Sequence, residues 1–501
     1  MKQVSAIEAG GRNIDYKWIA LSVTTIGALM AAIDGTIVVL ALPDMMVKLH
    51  AGLVEMVWVI MAYILMSTVC LLTFGRIADM FGRVRMYNLG FVIFTAGSAL
   101  CGLSRTAVQL ILFRLVQGAG AAFMMVNSPA IIAEVFPPHQ RGRALGINGV
   151  TWALGGIAGP LLGGLILAAA NWRWIFYINV PIGLLGIVWG YLALKEKSTR
   201  NRAEKFDIGG AVLFSVGLVA LLFALTLGIQ LSWTSLPILS LFVLFVVMLA
   251  VFLIRERRVE SPVLDLSLFR NRVYSFSVVS AMLQSLAMFA VNFLIVFYFQ
   301  GVRGFNPLTA ALCLIPLSIM SAVAGPLSGV LADRIGARIP ATAGLVLQAA
   351  ALVWFVLRLT PTSSYGEIAF GLVLVGLGGG LFFSPNTSAA MNGAPRHRLG
   401  IASATLATLR QTGMVTSFAL ALAVAAGSLP RGAMMQLFVG TDVALGSQAM
   451  QAFVVGIRSA FLVSLALCVL ASGFSLVRGR EDRGAVARKP PPLRSGGRGT
   501  A

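Results

Sequence analysis

Charged and amide side chains set inside long apolar runs are the groups in this 501-residue chain that could do chemistry, and the chemistry open to them is the holding and releasing of a proton. Asp34, in Asp34-Gly-Thr36-Ile-Val-Val-Leu-Ala-Leu42-Pro43, is the clearest acid well inside such a run. As a helix the run places it about 24 Å from the start, in the outer half of the span. Desolvation opposes a carboxylate charge and a nearby guanidinium supports it, so an acid under both influences could load and unload a proton as its surroundings open and close. A purely structural, hydrogen-bonding aspartate is the competing reading. Arg114, in Arg114-Leu-Val-Gln117-Gly118-Ala-Gly120, lies at a similar estimated depth in another run. An arginine there is costly and faces either an acidic partner or a cavity, unless it snorkels to the interface. Arg410, in Arg410-Gln411-Thr412-Gly413, is a second basic position of this kind; it either lines a cavity or pairs with a backbone carbonyl.

Two glycine-rich patterns bear on movement. Gly75-Arg76-Ile-Ala-Asp79-Met-Phe-Gly82-Arg83-Val-Arg85 reads as a connection between two runs. Its glycines let helix ends approach closely, and Asp79 can accept hydrogen bonds from a helix N-terminus and pair with arginines, which would latch that side of the molecule. The plain alternative is a tight turn with topology-setting charges. Gly155-Gly-Ile-Ala-Gly159-Pro160-Leu-Leu-Gly163-Gly164 lies inside another run. Glycines four apart share one helix face and permit close contact, and a proline removes a backbone bond and bends the helix. Such a surface suits sliding or rocking, or else static close packing.

The elements that would position these residues are membrane helices. The composition is 58% hydrophobic and 11% charged, with a mean hydropathy of +0.89; a soluble domain carries about 25% charged residues. The apolar residues come in runs of the length that crosses the hydrocarbon layer as a helix. About 14 such segments are countable, the first a retained helix without a cleavage pattern and not a signal peptide. The net charge of +20 does not point to nucleic acid, because the basic residues sit in short connections without interleaved aromatics. Alternate connections with the two termini hold 29 of the 38 Lys and Arg, against 7 in the other set, which predicts that both termini are cytoplasmic.

The chain repeats itself. Gly75-Arg-Ile-Ala-Asp79-Met-Phe-Gly82 returns as Gly329-Val-Leu-Ala-Asp333-Arg-Ile-Gly336. This predicts two six-helix bundles related by duplication, at 18–199 and 273–477, with two inserted helices at 206–256, a short cytoplasmic segment at 1–17 and a disordered cytoplasmic tail at 478–501. The stretch 427–456 reads as the one long external loop. Cys70, Cys101, Cys313 and Cys468 lie inside apolar runs and His50, His139 and His397 in separate connections, so neither a metal site nor a disulfide set is expected.

On these motifs the chain resembles the 14-helix drug:proton antiporters of the major facilitator superfamily. The Gly75–Arg85 stretch is similar to that superfamily's cytoplasmic signature. Arg114-x-x-Gln117-Gly-x-Gly is similar to its fourth-helix signature, Gly155–Gly164 to the fifth-helix motif of antiporters, and Asp34-x-Thr with Ala-Leu-Pro to the first-helix motif of the 14-helix branch. The resemblance covers nearly everything up to about residue 477. It implies an all-α major facilitator fold and proton-motive efflux of amphipathic, often cationic compounds from the cell membrane. It also implies a functional monomer with the proton as coupling ion and no cofactor. Asp34 and Arg114 would handle the proton, Asp79 would gate, and Pro160 with its glycines would set the exchange direction. The segment Leu308–Leu331 lacks the acid that some polycation exporters carry there, which counts against divalent cationic substrates. Gln117, Asn127, Gln284, Asn292, Asn386 and Arg410 are candidate lining residues for a substrate cavity. Import by symport, a narrow-substrate exporter, or a membrane sensor without flux are the other readings. A membrane enzyme would need clustered catalytic groups, and the Gly376–Gly380 run follows no strand that would make it a phosphate loop.

Overall fold

Runs of Leu, Ile, Val, Phe and Ala fold as helices here because a helix satisfies every backbone group from within its own segment. The computed structural model describes residues 15–196, 207–259, 262–305, 307–428 and 447–479. The first fourteen residues, the tail from 480 and most of the 427–456 stretch lie outside the described residues. The described residues form helices and no strands.

The first half holds α1 (Tyr16–Lys48), α2 (Leu53–Phe81), α3 (Arg83–Leu103), α4 (Ala107–Val135), α5 (Arg141–Ala169), α6 (Trp174–Tyr177) and α7 (Asn179–Ala193). The inserted pair is α8 (Ile208–Leu231) and α9 (Leu236–Glu256). The second half holds α10 (Arg272–Phe297), α11 (Pro307–Cys313), α12 (Ile315–Ile335), α13 (Arg338–Arg358), α14 (Tyr365–Asn392), α15 (Leu399–Ser428) and α16 (Ser447–Val477). α6 with α7 and α11 with α12 each make one crossing broken in the chain direction. Among the described residues 13 stretches are long and apolar enough to span a membrane. The thirty-residue α15 is the further long helix of the fold. Leu239, Val243, Val246 and Ile254 of α9 point outward, where lipid covers them.

The structure corrects two sequence-based boundaries. The repeated glycine motif is not a loop: Gly75–Phe81 completes α2, and its second copy completes α12. Only the closing glycines, Gly82 (φ 109°) and Gly336 (φ 97°), leave the helix, in a conformation that a side chain disfavours. An apolar and polar spacing compatible with a helix therefore carries both helices beyond the apolar run that seemed to end them. At the other end, α16 begins at Ser447, so ten residues read as external loop are helical.

A Cβ at Gly82 would meet Glu196, whose Oε2 accepts from the backbone N–H groups of Val84 (3.1 Å) and Arg85 (3.2 Å) at the start of α3. Gly82→Ala is thus expected to cost about 1–3 kcal/mol through backbone strain and the lost cap. A thermal melt of the purified variant checks this, and an unchanged midpoint would count against it.

The inserted pair leans on the seam between the halves. Val69 of α2, Val415 of α15 and Leu218, Leu221 and Leu225 of α8 form one buried cluster, and Trp58 packs 4.7 Å from Phe223. At its basic end Asp207 caps α8 through Gly210 N–H (3.0 Å) and takes a guanidinium hydrogen bond from Arg255 (2.8 Å). That guanidinium holds the Asp207 carboxyl below its ordinary range.

Candidate functional site

Asp34 is fully buried on α1, and four helices converge on it. Arg114 of α4 donates from Nη1 to Oδ2 (2.7 Å), while Gln117 of α4 and Asn179 at the start of α7 donate to Oδ1 (2.8 and 3.1 Å). Arg114 also donates from Nε to the carbonyl of Val59 on α2 (3.1 Å) and from Nη1 to Gln117 Oε1 (2.7 Å). Its guanidinium lies 4.3 Å from the Tyr63 ring centroid and 5.9 Å from that of Phe176. Gln117 in turn donates to Ser98 of α3 at 2.5 Å. The outcome is a sealed ion pair with both carboxylate oxygens satisfied. A buried charge pair this complete is stable only while both partners stay charged; taking one charge away strands the other.

Sequence reasoning singled out Asp34, Arg114 and Gln117 separately, and the structure brings them together. It also places Gln117 inside the ion-pair cluster and not along an open cavity. Asn179 and Ser98 join the cluster without having been expected from the sequence. The available signal for Asn179 was its being the one amide in the run 174–194.

The first-helix motif and the glycine-rich fifth helix meet along one seam. Thr36 Oγ1 donates to the Gly155 carbonyl (3.1 Å), two residues along α1 from Asp34. A Cβ at Gly155 would strike Ala32, and one at Gly159 would strike Thr36. Gly163 is buried further along the same helix. Pro160 lies within α5, and its side chain is outside the described set.

The two copies of the repeat do the same job at two crossings between the halves. Asp79 accepts from the backbone N–H groups of Gly400 (3.0 Å) and Ile401 (2.9 Å), at the start of α15. Asp333 accepts from those of Gly142 and Arg143 (both 3.0 Å), at the start of α5. Each carboxylate thus caps the positive end of a helix from the other half. The opening glycines mark the crossings, since a Cβ at Gly75 would meet Ala404 and one at Gly142 would lie 2.6 Å from the Gly329 carbonyl. Arg83 is buried, pairs with Asp79 (2.8 Å) and reaches Glu134 of α4 (2.9 Å); Arg76 is buried beside them. Arg141 donates to Asn392 (2.7 Å), Ser384 to the Gly142 carbonyl (2.6 Å) and Ser403 to the Val126 carbonyl (2.7 Å), also between halves. These bonds cluster at the basic face, and that face is closed.

The remaining candidates are dispersed. Asn127 is buried and donates to the Phe123 carbonyl in its own helix (2.8 Å). Asn386 is buried between Ser277 and Arg478, donating to the Ser277 carbonyl (2.9 Å) and accepting from Arg478 (3.1 Å), which ties α14 to α10 and the end of α16. Neither meets open space in this closed arrangement: Asn127 keeps its Oδ1 buried without a hydrogen-bond partner, and Asn386 ties three helices together. Gln284 and Asn292 on α10 are half-buried, with Gln284 3.4 Å from Gln348. Arg410, half-buried on α15, bonds Thr387 Oγ1 (3.2 Å) and lies over Phe383.

Comparison with known proteins follows the same lines. The family described as Major Facilitator Superfamily matches residues 24–418. The chain is 35% identical over 403 residues to the multidrug resistance protein Stp of Mycobacterium tuberculosis, covering 80% of this chain and 74% of that one. It is 32% identical over 408 residues to the riboflavin transporter RibZ of Clostridioides difficile, covering 81% and 87%. Among solved structures, the proton:xylose symporter XylE superposes with a TM-score of 0.61 at 13% identity, covering 92% of this chain and 95% of that one.

Proposed function

Because this chain belongs to the major facilitator superfamily, and is therefore a multi-pass membrane transporter, we propose that it exports amphipathic small molecules from the cell in exchange for protons, by alternating access. The observation that carries the reading is the sealed Asp34–Arg114 pair in the first half. Protonating Asp34 removes the charge that holds Arg114, Gln117 and Asn179 in place, so proton loading and helix rearrangement are the same event. The closed basic face, cytoplasmic on the expectation from the charge asymmetry, fits a state in which Asp34 is charged and the latches are made. Loading a proton from the outer side loosens the cluster, and the α1–α5 seam at Thr36 and Gly155 passes the change to the interface between halves. Substrate then displaces the proton by binding the inward state better, as any ligand that shifts an equilibrium must. The fold alone does not set direction, since XylE is named a symporter; the glycine pattern of α5 supports exchange.

The reading is tested with the purified full chain in liposomes under an imposed pH gradient, following internal pH together with a panel of lipophilic dyes. Dye moving up its own gradient while protons move the opposite way is the expected result. Dye and protons moving in the same direction would make it a symporter, and no flux across the panel would overturn the multidrug reading.

A further inference from the structure

The second half carries a charge that its described residues do not balance. Arg410 lies eleven residues into α15, about 16 Å along the axis and so near mid-depth. Among the described residues its side chain finds a neutral hydroxyl, Thr387 Oγ1 at 3.2 Å, and the face of Phe383, 4.2 Å from the ring centroid. Its Nε is buried with no hydrogen-bond partner, and among the described residues no carboxylate pairs with it. Arg114, in contrast, has Asp34 at 2.7 Å.

The chain has few acids to offer. Between 273 and 477 the sequence holds Asp333, Glu367 and Asp442. Asp333 is committed to the start of α5, Glu367 to the capping box that opens α14, and Asp442 lies outside the described residues. Arg410 also stands on the face of α15 turned toward the other half: it lies two turns beyond Ser403, which bonds Val126 of α4. Phe383 beside it would lie 3.5 Å from a Cβ at Gly149 of α5. A guanidinium between two halves that separate, with an unused N–H and an aromatic face alongside, is a ready fork for a carboxylate on an aromatic body.

We propose that Arg410 receives an anionic group, so that the transported molecules are amphipathic organic acids or zwitterions. The resemblance implied cationic substrates; the charge inside the second half points the other way. Asp34, which a cation would seek, is sealed by three donor side chains. The inference deepens the exporter reading and rests on it only for the claim that the bound molecule is carried.

The test is equilibrium binding to the detergent-solubilised full chain by fluorescence anisotropy. The probes are tetramethylrhodamine, pyrenebutyric acid and dansylglycine, each beside its methyl ester, which keeps the ring system and removes the carboxylate. Acids binding about tenfold tighter than their esters are expected for the wild type, the scale of one charge-assisted contact. Arg410→Gln is expected to erase that preference while leaving ester affinity unchanged, and Arg410→Lys to retain part of it. No acid outbinding its ester, or a preference that survives Arg410→Gln, overturns the proposal. Should the Gln variant elute aggregated, the Lys variant decides, since a lysine that keeps the full preference shows that the forked geometry is not used. No gradient is involved, so an acid preference found without proton-driven flux defeats the exporter reading and leaves this site standing.

Discussion

Asp34→Asn is expected to abolish proton-driven accumulation of substrate in liposomes while leaving downhill exchange in place. The loss expected is at least about 100-fold, because an amide at this position has no proton to load or release across the working pH range. The same substitution sets an amide N–H against donors on one side, Arg114 or else Gln117 and Asn179, and leaves Arg114 without a carboxylate in a fully buried setting. Removing one partner of a buried pair costs about 3–5 kcal/mol, so the variant also melts at lower temperature. The two effects are separable. Combining Asp34→Asn with Arg114→Gln removes both charges, which is far cheaper than removing one. The double variant is expected to recover thermal stability and still lack coupling. If it recovers proton-driven transport as well, Asp34 is a structural group, and the coupling site has to be sought near Asp79. The alternative outcome, full coupling in the single Asn variant, leads to the same place.

What was legible in the sequence follows from what each signal depends on. Apolar runs report helices because membrane insertion is decided locally, and the repeat reported two similar halves because four residues recur at fixed spacing. Asp34 and Arg114 stood out because charge is rare at that depth. Their meeting did not, since it depends on how α1 and α4 cross, and no local pattern records that. Asn179, Ser98, Glu134 and Glu196 were overlooked for a related reason: an amide, a hydroxyl, or an acid at a helix end is common, and only its partners give it a task. The amides expected along a cavity show the same dependence. Asn127 and Asn386 are polar residues in apolar runs, which the sequence cannot tell from lining groups, yet one bonds its own helix and the other a neighbouring helix and Arg478. The glycine motif looks like a loop in the sequence because its charges resemble the end of a membrane helix. Its aspartates could cap a helix of the other half only because the two helices run on to that level.

Asp79→Ala is expected to open the basic face. The wild-type carboxylate makes two hydrogen bonds to backbone N–H groups at the start of α15 and an ion pair with the buried Arg83. Hydrogen bonds to a charged group contribute about 1.5–3 kcal/mol each, so losing the two caps shifts the closed-to-open balance by roughly 100-fold or more. Asp79→Asn keeps an acceptor but not the charge, and a shift of about tenfold is expected. The reporter is a cysteine at Ala404, buried against Gly75 in the closed state, with the four native cysteines replaced. Its labelling rate by a membrane-impermeant maleimide applied from the basic side should rise with the open population. Asp333 makes the matching cap on α5, on a different helix start from Asp79, so Asp333→Ala should shift the same balance and the two effects should multiply. This multiplication is the discriminating result. If the aspartates merely trimmed two helix ends, each variant would lower thermal stability without exposing Ala404→Cys. Unchanged labelling in both would show that the face is held by the packing of α2 on α15 and α5 on α12, where Gly75, Gly142 and Gly329 let the backbones touch.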